Sequence, residues 1–178
     1  MVFENIEETF NKDKFKSVLL YIINRCENKP NAGKTLICKL LYFSDFNYYE
    51  IYENSITDET YLKYENGPFP SHINEIIDEM IEDKIIGMDE KKYFDTIQNH
   101  YYSNVSPDLT ALNTRELRVI NDVIDKMGGY NAKKASDYSH GDMPWMIAED
   151  NDELDYEYVF YRDNEYSVRD YERKSYPI

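Results

Sequence analysis

The sequence predicts an α+β fold: one predominantly helical domain with a small antiparallel sheet, here with a winged-helix-like order of elements as one arrangement that fits. Three observations lead there. Several segments carry apolar residues at helical spacing, with capping residues or Gly and Pro at their ends. Between Ile85 and Val105 that period disappears and β-branched and aromatic residues take over. And 178 residues without internal repeats suit a single core.

The first helix is expected over Phe15–Arg25, where Phe15, Val18, Leu19, Ile22 and Ile23 form one stripe. Asn28 to Gly33 interrupts it with Pro and Gly. A second helix, about Lys34 to Glu53, carries Ile37, Leu40, Leu41 and Phe43, and is apolar enough at its start to predict burial on most sides. Asn54 to Asp58 breaks the pattern, and Thr60 to Tyr64 reads as a short strand. Gly67-Pro68-Phe69-Pro70 reads as a rigid turn, because each Pro fixes its own φ and restricts the residue before it. Ser71 is then the expected N-cap of a helix to about Asp83, with Ile73, Ile76, Ile77, Met80 and Ile81 inward.

Tyr93-Phe94, Thr96-Ile97 and Tyr101-Tyr102 suggest short antiparallel strands. Asn113 with Glu116 three residues on is a capping-box pattern, opening a helix through Met127 whose stripe is Leu117, Ile120, Val123 or Ile124, and Met127. Gly128-Gly129 ends it. Asn131 caps a short helix over Ala132–Tyr138, and Pro144 sits in the first turn of the next. From Glu149 to Glu157 six of nine residues are acidic, which reads as a solvated, mobile stretch. Tyr158–Tyr161 suggests a strand, and the remainder of the acidic, Tyr-rich extension 149–178 has no assignable pattern.

Net charge is −15, with 35 acidic residues against 20 Lys and Arg. Nucleic-acid affinity comes mainly from cations displacing counterions, so DNA is a disfavoured partner and a positively charged protein a better one. In the winged-helix arrangement, Lys34 through Val105, the reading helix would present Asn74, Glu75, Asp78, Glu79, Glu82 and Asp83 to phosphates, which charge opposes. The 18 Tyr and 8 Phe fit both a contact surface and an A+T-rich coding bias shared with Asn, Ile and Lys. Met1 to Phe10 contains Glu4, Glu7 and Glu8 and no apolar run, and no stretch approaches the roughly 18 apolar residues of a membrane span. The expectation is a cytoplasmic protein with Cys26 and Cys38 as buried thiols.

Sequence motifs for catalysis are weak. Asn31-Ala32-Gly33-Lys34-Thr35 ends like a phosphate-binding loop, but Asn28 stands where the first Gly belongs and a helix precedes it. His72, His100 and His140 are scattered, and Cys26 and Cys38 lie twelve apart, so neither supplies a local pair of metal ligands. Ser139 and His140 are neighbours, yet no nucleophile elbow surrounds them. A binding protein without cofactor, metal or catalytic residues is expected; a metal-dependent hydrolase and a nucleic-acid-binding regulator are the alternatives.

Three segments together resemble the Panacea domain of SocA-like antitoxins, a family found in bacteria, archaea and phages. They are Lys39-Leu40-Leu41-Tyr42-Phe43-Ser44-Asp45-Phe46; Tyr64 through Gly67-Pro68-Phe69-Pro70-Ser71, loosened by Glu65 and Asn66 between Tyr and Gly; and Ser139-His140 followed by Pro144-Trp145. The resemblance spans about Leu36 to Met146. It implies a neutralising role in a toxin–antitoxin pair, with a cognate toxin encoded by the adjacent gene as partner and, in an adaptor mechanism, a protease as well. Its motif residues Lys39, Tyr42, Asp45, Tyr64, Gly67, Pro68, Ser139, His140, Pro144 and Trp145 are expected to be mainly structural. Asp45, in an apolar helix, needs a partner if buried, and His140 or a nearby helix N-terminus is the expected one. Trp145 is expected to pack.

Overall fold

A helix that is apolar on most sides must be surrounded, and the architecture follows from that requirement. The computed structural model describes residues 9–172. Its centre is α2 (Lys34–Tyr52), with thirteen of nineteen residues buried. Packed around it are α1 (Lys12–Cys26), the hairpin of β1 (Tyr61–Tyr64) and β2 (Gly67–Pro70), α4 (Thr114–Met127), α5 (Ala132–Ser139) and a 3-10 helix over Tyr156–Tyr161. Asn11 caps α1 through Lys14 N–H, and the stripe from Phe15 to Ile23 faces inward as its spacing predicts. Asn113 and Glu116 form the expected reciprocal capping box on α4. Asn131 caps α5, and Asp142 caps α6 (Met143–Ile147), with Pro144 in its first turn.

Among the described residues the sheet content is two separate antiparallel ribbons, β1–β2 and a longer hairpin of β3 (Ile86–Tyr93) with β4 (Thr96–Ser103). The second ribbon gathers the three short strand signals into two eight-residue strands, with Phe94 at positive φ in the turn. Helix α3 (Ile73–Glu82) precedes it directly, which is a helix-then-wing order. Asn74, Glu75, Asp78, Glu82 and Asp83 are exposed on and after α3, and Glu79 pairs with Lys12 and Lys16.

Several expectations are corrected. Gly67–Pro70 is strand rather than turn: in a two-stranded ribbon an edge is always open, so Pro68 and Pro70 need not donate to a ladder. Ser71 does not cap α3. Its hydroxyl donates to the buried Glu59, and His72 holds the cap position. Tyr158–Tyr161 belongs to the 3-10 helix, begun by Asp155 accepting from Glu157 N–H. The acidic stretch is not a free, mobile segment. Lys63 N–H donates to the Asp152 carbonyl, while Asn151 and Leu154 N–H donate to Lys63 and Tyr61 carbonyls, so this segment lines the open edge of β1 with its carboxylates outward.

Burial of α2 also submerges charge. Glu50 and, at the start of α6, Asp142 are fully buried, and Arg162 from the C-terminal extension reaches in to meet both. Its guanidinium donates from Nε and Nη2 to the two Asp142 oxygens at 2.8 and 2.7 Å, and from Nη1 to Asn47 and Glu50 at 2.8 and 3.1 Å. This bidentate geometry is one that only Arg supplies. Asp142 accepts further from Tyr42 hydroxyl, and Glu50 from Ser167, Val168 N–H and Tyr171. Removing one member of such a cluster strands the others, which costs about 3–5 kcal/mol. Arg162→Ala is therefore expected to lose about that much stability in urea denaturation. A loss below about 1 kcal/mol, the range of an exposed pair, would contradict this placement.

Candidate functional site

The motif residues sit on three elements that meet. Lys39, Tyr42 and Asp45 are on α2, Tyr64, Gly67 and Pro68 on the β1–β2 hairpin, and Ser139, His140, Pro144 and Trp145 at the end of α5 and in α6. The segments are far apart in sequence, and burial of α2 draws them together.

Two of them lie inside. Asp45 is buried and accepts four hydrogen bonds: from Ile56 N–H at 3.0 Å, Thr57 N–H at 2.9 Å, and the hydroxyls of Thr57 and Tyr61 at 2.6 Å each. Its partner is thus a loop backbone with two hydroxyls, and neither His140 nor a helix N-terminus. Burial pushes its pKa from 3.8 up to about 6 against the pull of these donors. Tyr42, also buried, spends its hydroxyl on Asp142 and packs against Phe43, Phe46 and Tyr61.

Of the others, Lys39, Tyr64, Gly67 and Trp145 line a depression, and Pro68, Ser139, His140 and Pro144 stand behind them. Lys39 crosses beneath the hairpin and donates to the Pro68 carbonyl at 3.0 Å. Gly67 lies over it at φ +110°, with Ser139 Oγ and Lys39 Cε so near that a Cβ there would stand 2.3 and 2.7 Å from them. Ser139 is buried and its hydroxyl donates to the Ser136 carbonyl. The rings of His140 and Trp145 stack with centroids 4.4 Å apart, and Trp145 Nε1 donates to the Tyr64 carbonyl at 3.2 Å. Lys63 places its ammonium 4.3 Å over the Trp145 ring. Among the described residues, buried His140 Nε2 has no hydrogen-bond partner.

Two clefts share Tyr64 and Glu65. One, about 350 Å³, lies over Lys34, Lys39, Gly67 and Phe69; the other, about 380 Å³, runs between Lys63, Trp145 and Asn151. Tyr64, Met146 and Ile147 are exposed nearby. Burial lowers the Lys39 pKa and pushes the neighbouring Cys38 thiol up to about 11, so Cys38 is not a thiolate nucleophile. Among the described residues no group of His, Cys, Asp and Glu is arranged to hold a metal. The arrangement is suited to recognition through an aromatic and ammonium-lined face.

Glu50, Asp142 and Arg162 were not singled out by the sequence reading. Asp142 carried a signal, as the capping-type residue two before Pro144; Glu50 and Arg162 carried none.

The family described as antitoxin SocA-like, Panacea domain, matches residues 37–146. No curated protein and no solved structure matches the chain significantly.

Two outcomes follow for the site. Folding raises the Asp45 pKa, so the proton is held more tightly in the folded state. Wild type should accordingly lose stability relative to Asp45→Asn as pH rises from about 4 to about 6, and the two should run parallel above that; parallel profiles throughout would contradict it. Gly67→Ala combines a strained φ with contacts to Ser139 and Lys39, and thermal melting should show a loss of more than about 1 kcal/mol.

Proposed function

The chain belongs to the SocA-like Panacea antitoxin family, and we propose that it acts in the cytoplasm as an antitoxin, neutralising a cognate toxin by binding it rather than by catalysis. Family membership over residues 37–146 is the observation that carries this reading. Two properties of the molecule support it. A charge of −15 draws a basic partner and accelerates encounter. The motif segments converge beside exposed Tyr64, Met146 and Ile147, the aromatic and apolar composition of a contact surface.

Stoichiometric occlusion of the toxin's working surface is the mechanism that needs least beyond this chain. Delivery of the bound toxin to a protease is the other way such a complex silences its partner, and the half-life of the toxin in cells separates the two. A nucleic-acid-binding role has the α3–β3–β4 order in its favour and the exposed carboxylates of α3 against it.

Co-expression with the product of the adjacent gene is expected to restore growth that this product alone arrests, and the two should co-elute on gel filtration. Association should slow as salt is raised, since steering is screened beyond about 10 Å at 0.1 M. An adjacent product that is toxic, is not rescued and forms no complex would overturn the reading.

A further inference from the structure

The cleft over Lys39 has no assigned occupant. Its floor is the Lys39 side chain, only 3% exposed although it carries an ammonium group. Of three N–H donors one goes to the Pro68 carbonyl, and among the described residues no carboxylate lies within ion-pairing distance. A buried charge is expensive unless it is paired. The other charged side chains submerged on α2 meet that demand: Asp45 has four donors, and Glu50 has Arg162. Lys39 borders about 350 Å³ of open space instead.

The walls restrict what can enter. The Tyr64 and Phe69 rings stack with centroids 5.0 Å apart, and the Lys34 ammonium lies 5.9 Å from the centre of the Phe69 ring. Helix α2 starts here with Gly33 at its N-cap and no side-chain cap, so the first turn adds partial positive charge. Glu65 is the carboxylate of the lining. With two ammonium groups, Lys39 and the Asn74-bonded Lys34, and one carboxylate, the lining balances a single added negative charge. The two uncommitted donors of Lys39 match the two oxygens of a carboxylate. A phosphate dianion would meet Glu65 and lack the Arg fork or extra cation that usually holds it.

We infer that this cleft binds a carboxylate carried by a partner protein, either an Asp or Glu side chain or a chain terminus, with the ammonium of Lys39 as its counter-ion. That the partner is the toxin rests on the antitoxin reading; the chemistry of the cleft does not. In such a complex the opposite overall charges bring the molecules together, and the Lys39 contact fixes their register. The lowering of the Lys39 pKa by burial fits this division, because an arriving carboxylate stabilises the ammonium that burial disfavours.

The test is a titration of the isotopically labelled full chain, followed by amide resonances. The probes are N-acetylglutamate N-methylamide for a side-chain carboxylate, N-acetylalanine for a terminus, the methyl ester of each, and inorganic phosphate. Saturable shifts at Lys34 and Gly67 are expected from at least one carboxylate, and which one distinguishes the two sources. Binding should weaken by about tenfold or more with the ester and with Lys39→Met. No saturable shift from either carboxylate, an equal response to the esters, or a response to phosphate alone would overturn the proposal. The ester comparison holds even if Lys39→Met fails to fold. Because no toxin is present, failure of this titration and failure of growth rescue are separate results.

Discussion

The structure depends on one constraint: a helix buried on nearly every side carries charged and hydroxyl-bearing residues whose polar atoms need hydrogen-bond partners. Ser44 turns back to the Leu40 carbonyl within the helix, but Lys39, Tyr42, Asp45 and Glu50 each fix the position of a segment distant in sequence. Asp45 gathers the loop at Ile56–Thr57 and the ring of Tyr61, Lys39 holds the β1–β2 hairpin at Pro68, and Tyr42 reaches Asp142. Glu50 collects Arg162, Ser167, Val168 and Tyr171. Apolar packing alone would let these segments slide, whereas a buried carboxylate with four donors admits one register. The family motif and the architecture are therefore linked by cause. The motif on α2 is conspicuous as sequence because its polar residues sit where only apolar ones would otherwise belong.

The Arg162 cluster extends this logic beyond the family segment. Residues 37–146 contain Glu50 and Asp142, two buried carboxylates that meet the same guanidinium, and that cation comes from outside the span. Burial acts to lower the Arg162 pKa, but Asp142 together with Glu50 and Tyr42 holds it above its ordinary value, so the guanidinium stays charged. Such clusters are poor sources of net stability and strong sources of specificity once formed, because each member becomes intolerable without the others. Residues 162–171 of the extension are thus packed into the domain they follow.

How legible this was in the sequence varied with the range of the forces involved. The helices α1, α2 and α4 were readable because their signals, the spacing of apolar residues with flanking Gly and Pro and, for α4, a capping box, lie within a few residues of each other. The β3–β4 hairpin was readable as strand, although not its exact pairing. Pro68 and Pro70 argued for a turn because local rules cannot tell an interior strand from an open-edged ribbon. The acidic run argued for a solvated, mobile stretch since charge is visible locally and pairing with β1 is not. The partners of Asp45 and the whole Arg162 cluster were invisible, because contacts over many residues leave no periodicity. Of the candidate site, the identity of the residues was legible, while their convergence on one face and the unpaired ammonium of Lys39 emerged only from the fold.

The claim that buried polar groups of α2 stitch the outer segments into one cooperative unit is tested most directly by native-state hydrogen exchange. The amide of Val168 lies late in the acidic extension and donates to Glu50 at 3.0 Å. The account predicts that it exchanges only by global unfolding, with the same opening free energy as core amides of α2 such as Leu41. Exchange of Val168 near the unprotected rate while Leu41 stays protected would contradict it.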